Sequence, residues 1–292
     1  MRVSVDIGGT KTIFAFLHEH TVLYSHTVPT NTVQDFCSAL NTFLFHAGEQ
    51  GFTSSQCVVA CAGPIIDDCC QLTNADVFIS KKDILEKTLL GSVRVVNDLF
   101  ALAHEDEGDI ITQSFRDGTR VYISPGTGLG VGLRTKHGFL ASEAGHADIA
   151  AYNAEELSLL SSASVTNTPE YESVLCGPGL ERMYSVLRFE DDPSLSSDEI
   201  VAERDNIPAA AQAVRYFGLF LGRCARNLVL AVNADRIVLS GGVLQRNMSL
   251  FEQYFFSELL LGRYKEILNT VSVQVISDPL AVVRGAARIP LQ

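Results

Sequence analysis

"VSVDIGGTKTIFAF", residues 3–16, runs as an apolar strand into Gly8 and Gly9 and returns as a second apolar strand. The same order recurs in "VYISPGTGLGVGLR", residues 121–134, where the turn is Gly126-Thr127-Gly128. A strand, glycine turn and strand repeated over such a distance predicts two similar lobes, joined between residues 108 and 119.

Outward from the first copy, "TIFAFLH" and "TVLYSHTV" read as strands, and Val33, Phe36, Leu40, Leu44 and Phe45 predict a helix over 32–48. "QCVVACA" and "SVRVVN" are apolar on both faces, as central strands covered by helices are. Around the second copy the helical block 153–233 ends in a long helix near 207–233, with Val214, Phe217, Leu221, Cys224, Leu228 and Val232 as its buried stripe. The strand "RIVLS", a Gly-Gly turn, a helix from Ser249, the strand "VSVQVIS" and a helix over 281–288 complete the chain. The fold class is α/β: mixed sheets flanked by helices, in a smaller lobe over 1–110 and a larger one over 111–292.

Composition narrows the function. The chain of 292 residues is 47% hydrophobic, enough for real cores, and its formal charge of −12 disfavours a nucleic-acid surface. No apolar run reaches the roughly 18 residues of a membrane span, and Asp6 interrupts the opening segment, so a soluble cytoplasmic protein is expected. Seven cysteines without a C-x-x-C pair read as buried reduced thiols, and no zinc is expected.

The glycine turns are the first chemical signal. In "DIGGTKT", Gly8 and Gly9 let backbone amides approach an anion, and Thr10 and Lys11 add donors, so a phosphate would fit. Asp6 beside a phosphate needs a cation between them, which suggests Mg²⁺ held mostly through water. An ordinary Gly-Gly hairpin remains the alternative. Gly126, Thr127 and Gly128 form a second such turn, and Gly241-Gly242 a third between a strand and a helix. Neither a Walker pattern nor a dinucleotide fingerprint is present. "SVRVVNDLFALAHED", 92–106, ends an apolar strand on Asn97 and Asp98; Asp98 either caps the next helix, faces a site, or does both.

With "VNDLFALA", "GTGLGVGL", "SEAGHADIA", "ESVLCGPGL" and "SGGV" following "DIGGTK" in this order, the chain resembles the bacterial-type glucokinases of the hexokinase, actin and chaperone ATPase superfamily over almost its whole length. The resemblance implies two ribonuclease-H-like lobes with a cleft between them, and transfer of a phosphoryl group from MgATP to the 6-hydroxyl of glucose. It implies Asp98 as the base and Asn97, Glu143, His146 and Glu172 as sugar ligands alongside it. Gly8, Gly9, Thr10, Lys11, Gly126, Thr127 and Gly128 would hold phosphates, Asp6 the metal through water, and Gly241 and Gly242 the adenosine. A homodimer fits the family.

Two departures bear on specificity: Lys11 stands where the family usually has Asn, and "TNADVF", 73–78, lacks the usual Trp, leaving Phe78 as the nearest aromatic. The cysteine-rich motif of the zinc-bearing relatives does not follow His146, and the first strand begins at Arg2 with no DNA-binding helices before it. Glucose is therefore the expected substrate, with mannose or an amino sugar next. A sugar-sensing regulator and a sugar-independent ATPase are the alternatives from other classes.

Overall fold

The computed structural model describes residues 1–105, 108–112, 116, 118–166 and 168–291. They fall into two compact units, Met1–Glu107 with Pro279–Gln292, and Gly108–Asp278.

The first unit is built on one mixed sheet. Three antiparallel strands, β1 (Arg2–Ile7), β2 (Lys11–His18) and β3 (Thr21–Pro29), are continued by β4 (Gln56–Cys61) and β5 (Ser92–Asn97), both parallel, in the order β3-β2-β1-β4-β5. One sheet face presents Val3, Val5, Ile7, Phe14 and Phe16 to the helix Phe36–Glu49. That helix starts later than its apolar spacing suggests, because Asp35 accepts from the Ser38 N–H and caps it. Its Phe43 ring lies 5.4 Å from Phe14, 5.5 Å from Phe16 and 5.6 Å from Tyr24, so one side chain clamps two strands.

The opposite face carries Ile13, Ala15, Leu17, Val58 and Ala60, all buried. The helix that follows β5, Asp98–Leu102, has five residues and is too short to cover them. The cover comes from the end of the chain: Val283, Ala286 and Ile289, in and just after the helix Ala281–Arg288, pack on this face. Residues 279–292, assigned to the second lobe from the sequence, thus belong by packing to the first. Arg2 fastens the helix end by donating to the Ala287 and Ile289 carbonyls, both at 2.6 Å. A Cβ at Gly285 would lie 2.8 Å from the Ala101 carbonyl carbon and closer still to its oxygen. Alanine in a helix is worth about 1 kcal/mol over glycine, but here it must push a backbone aside. Gly285→Ala is therefore expected to lower stability by about 2 kcal/mol, read as an earlier urea midpoint at unchanged slope.

The second unit repeats the plan. Arg120–Pro125, Leu129–Thr135 and Gly138–Ser142 form an antiparallel meander, and Arg236–Leu239 and Ser272–Val275 continue it in parallel. A short antiparallel strand, Asp109–Ile110, edges the sheet. The expected long helix is Pro208–Val232, ended by Asn233 in the left-handed region. Val214, Phe217, Leu221 and Cys224 are buried as the stripe requires, while Val232 in the last turn is exposed. The helix also buries Arg223, which no apolar pattern announces. Its guanidinium donates to Glu156 at 2.8 and 3.1 Å and to Glu258 at 3.2 Å, so the buried charge is balanced by two carboxylates. Among the described residues no helix is long and apolar enough to cross a membrane. All seven cysteines are free thiols, and all but Cys69 are buried.

Candidate active site

The candidate residues of the first unit sit at the carboxyl ends of its parallel strands, where open α/β sheets bind ligands. Asp6 is the penultimate residue of β1, and Asn97 ends β5. The Gly8 N–H donates to the Lys11 carbonyl at 3.0 Å and closes the hairpin, so Gly8 shapes the turn and its amide is not available to a phosphate. Thr30, fully buried, steadies this turn: its hydroxyl donates to the Gly8 carbonyl at 2.7 Å and its N–H to the Thr10 carbonyl at 2.9 Å.

Asn97, rather than Asp98, is the helix cap. Its Oδ1 accepts from Leu99 N at 3.0 Å and Phe100 N at 3.2 Å, and its Nδ2 donates to the Gly63 carbonyl at 3.2 Å. Among the described residues the Asn97 Nδ2 has no second acceptor, so one N–H is left for a ligand. Asp98 is the first residue of the helix, and its Oδ1 accepts from the Leu99 N–H at 2.9 Å. The backbone thus fixes this carboxylate at a positive helix end.

Burial, and next the charge of Asp98, push the Asp6 carboxyl up to about 7, while Lys11 opposes them. Two carboxylates that repel one another at a glycine turn fit a divalent cation, which would relieve the repulsion.

In the second unit the motif segments converge on the turn Pro125–Leu129. The Gly177 N–H donates to the Gly126 carbonyl at 2.9 Å. Glu172, on the short helix Tyr171–Val174, accepts from the Leu129 N–H at 2.7 Å. Gly145 and Gly241 close on the same turn from other sides. A Cβ at Gly145 would overlap the Leu129 carbonyl oxygen, and one at Gly241 would sit 2.8 Å from the Pro125 carbonyl carbon. Gly241 also has φ +91°, which only glycine adopts without strain. Gly242 opens the helix Gly242–Gln245. The Gly126 N–H is spent on the Gly128 carbonyl at 2.8 Å, so, like Gly8, Gly126 shapes its turn instead of donating outward.

Glu143 and His146 flank a single 3₁₀ turn, both exposed, and the His146 N–H donates to the Glu143 carbonyl at 3.0 Å. The partner of the His146 ring is a residue the motifs do not mark: Nδ1 lies 3.0 Å from Glu170 Oε2. That hydrogen bond raises the imidazole above its ordinary value; partial burial opposes it, and the charges of Glu172, Glu170 and Glu143 add to it. Glu170 could have been found only from its place two residues before Glu172. Phe78 is 55% exposed and belongs to no core.

Chemically, the first unit offers a fixed carboxylate beside a second, strained one, and the second unit offers a glycine turn next to three carboxylates and an imidazole suited to vicinal hydroxyls. A family model for glucokinase matches residues 3–292. The glucokinase of Rhizobium johnstonii is 29% identical over 319 residues, covering 98% of this chain and 91% of that protein. Among solved structures, a glucokinase from an Antarctic psychrotroph superposes with a TM-score of 0.77 at 24% identity, covering 98% and 97% of the two chains. A ROK family glucokinase from Streptomyces griseus, in complex with glucose and AMPPNP, does so at 0.72 and 20% identity, covering 98% and 97%.

Proposed function

The chain belongs to the glucokinase family, and from that premise we propose that it transfers the terminal phosphoryl group of ATP to the 6-hydroxyl of D-glucose, with Asp98 accepting the hydroxyl proton. The observation that carries the assignment is the Asp98 carboxylate held at a helix start by a backbone N–H while Asn97 does the capping. Phosphoryl transfer needs positioning, charge neutralisation and a base, and the candidate residues supply each.

Glu143, His146 and Glu172 bind the sugar hydroxyls, and the spare Asn97 N–H donates to one more. Gly8 and Gly126 shape the two turns that, with Gly9, Thr10, Lys11, Thr127 and Gly128, receive the phosphates; Gly241 and Gly242 lie along the adenosine. Mg²⁺ would be held by Asp6, through water, and would neutralise phosphate charge. Glu172 has a second task, since one oxygen already holds the Leu129 amide and so links the sugar segment to the glycine turn. A cytoplasmic location, the absence of nucleic-acid partners and a homodimer belong to the same proposal.

The test is ADP release with MgATP across glucose, mannose, fructose, N-acetylglucosamine and N-acetylmannosamine. Preference for glucose is the expected result. Preference for another hexose would keep the chemistry and move the specificity to the wall around Asn74 and Phe78. Hydrolysis independent of sugar, or none with any sugar, would overturn the assignment.

A further inference from the structure

His146 and Glu170 are brought together by the backbone and not by chance contact of two surface side chains. The Ile149 N–H donates to the Pro169 carbonyl at 2.9 Å and the Tyr171 N–H to the Ala147 carbonyl at 3.1 Å, with Asp148 and Glu170 facing as bridge partners between them. This short antiparallel pairing sets the segment after His146 beside the segment before Glu172. The side chains of His146 and Glu170 are 43% and 19% exposed, so the carboxylate is the more enclosed partner and the ring still reaches solvent.

A carboxylate only accepts, so the 3.0 Å contact requires the proton on Nδ1. We propose that Glu170 is a positioning residue for the sugar: by holding the Nδ1–H it fixes the tautomer and ring plane of His146 and leaves Nε2 as the ring atom that meets a sugar hydroxyl. The proposal rests on the reading of this site as a sugar site. The charged groups acting on the ring are Glu143 on its own turn and Glu170 and Glu172 on the paired segment. All three favour the imidazolium, so at low pH Nε2 donates to the hydroxyl, and at high pH the neutral ring accepts from it. Without Glu170 the ring is free to exchange tautomers and to rotate, and a hydroxyl meets the correct atom only part of the time.

Nitrogen-15 chemical shifts of the imidazole, assigned with a His146→Gln variant, read the tautomer without reference to activity. The wild type is expected to show the Nδ1–H form at high pH. Glu170→Gln, whose amide oxygen still accepts, should keep that form but titrate at lower pH, and Glu170→Ala should lose it. Calorimetry with glucose and no nucleotide is expected to show about tenfold weaker binding for Glu170→Ala and about threefold for Glu170→Gln, with kcat changed by less than about twofold. A melting temperature close to that of the wild type excludes a folding defect. An unchanged tautomer or unchanged glucose affinity in Glu170→Ala overturns the proposal. Wild-type protein that binds glucose but transfers no phosphoryl group overturns the kinase assignment and not the role of Glu170, whereas no binding of any sugar of the panel overturns both.

Discussion

Asp98→Asn is expected to lower kcat for glucose phosphorylation by about 10²- to 10⁴-fold while changing the glucose KM by less than about threefold. The substitution is close to isosteric and keeps an oxygen to accept from the Leu99 N–H, so the side chain stays where it is. The helix is unharmed, because the Asn97 cap, which accepts from both Leu99 and Phe100, is untouched. What disappears is the negative charge and, with it, the capacity to take a proton; the charge also acts on Asp6, so the variant tests the base through kcat. A fall in kcat with little change in KM separates this from loss of a sugar contact, which would raise KM first. Turnover within a few-fold of the wild type would remove Asp98 from the role of base.

That argument became available only with the structure, because Asn and Asp in adjacent positions before a helix are equally good caps in a sequence. The strand-turn-strand repeat was legible, since glycine turns between apolar strands are local features. The same holds for the two meanders and for the central strands β4 and β5, whose apolar character on both faces demanded cover. Which helix supplies that cover was not legible. The helix Ala281–Arg288 follows a strand of the second unit in the chain, and only the packing of Val283 on β2 and of Ala286 on β4 and β5 places it with the first. Buried charge was hidden for a related reason: Arg223 interrupts an apolar helix face, and its two carboxylate partners lie 67 and 35 residues away. Thr30 and Glu170 escaped notice because each acts through another residue's backbone or ring, which no motif records.

Asp6→Asn is expected to move activity and stability in opposite directions. The Asp6 carboxyl, ordinarily near 3.8, is pushed up to about 7 by burial and by the charge of Asp98. Between these values the folded protein holds a proton that the unfolded chain has released. Stability from this group is therefore complete below about 3.8, falls as pH rises through the window, and is lowest above about 7. With allowance for the partial exposure of Asp6, the loss is about 2 kcal/mol at pH 8. Asparagine has no charge to bury, so Asp6→Asn should melt later than the wild type at pH 8, with the advantage shrinking to nothing near pH 4. Turnover with MgATP should meanwhile fall by about 10²-fold, the scale expected when a group that orients metal-bound water is removed. Thermal melts at the two pH values, with steady-state rates at pH 8, check both halves. Equal melting temperatures at pH 8 would show that Asp6 carries no strain, and a retained rate would show that the strain serves nothing in the reaction. If both expectations hold, Asp6 is unfavourable for folding and retained for phosphoryl transfer.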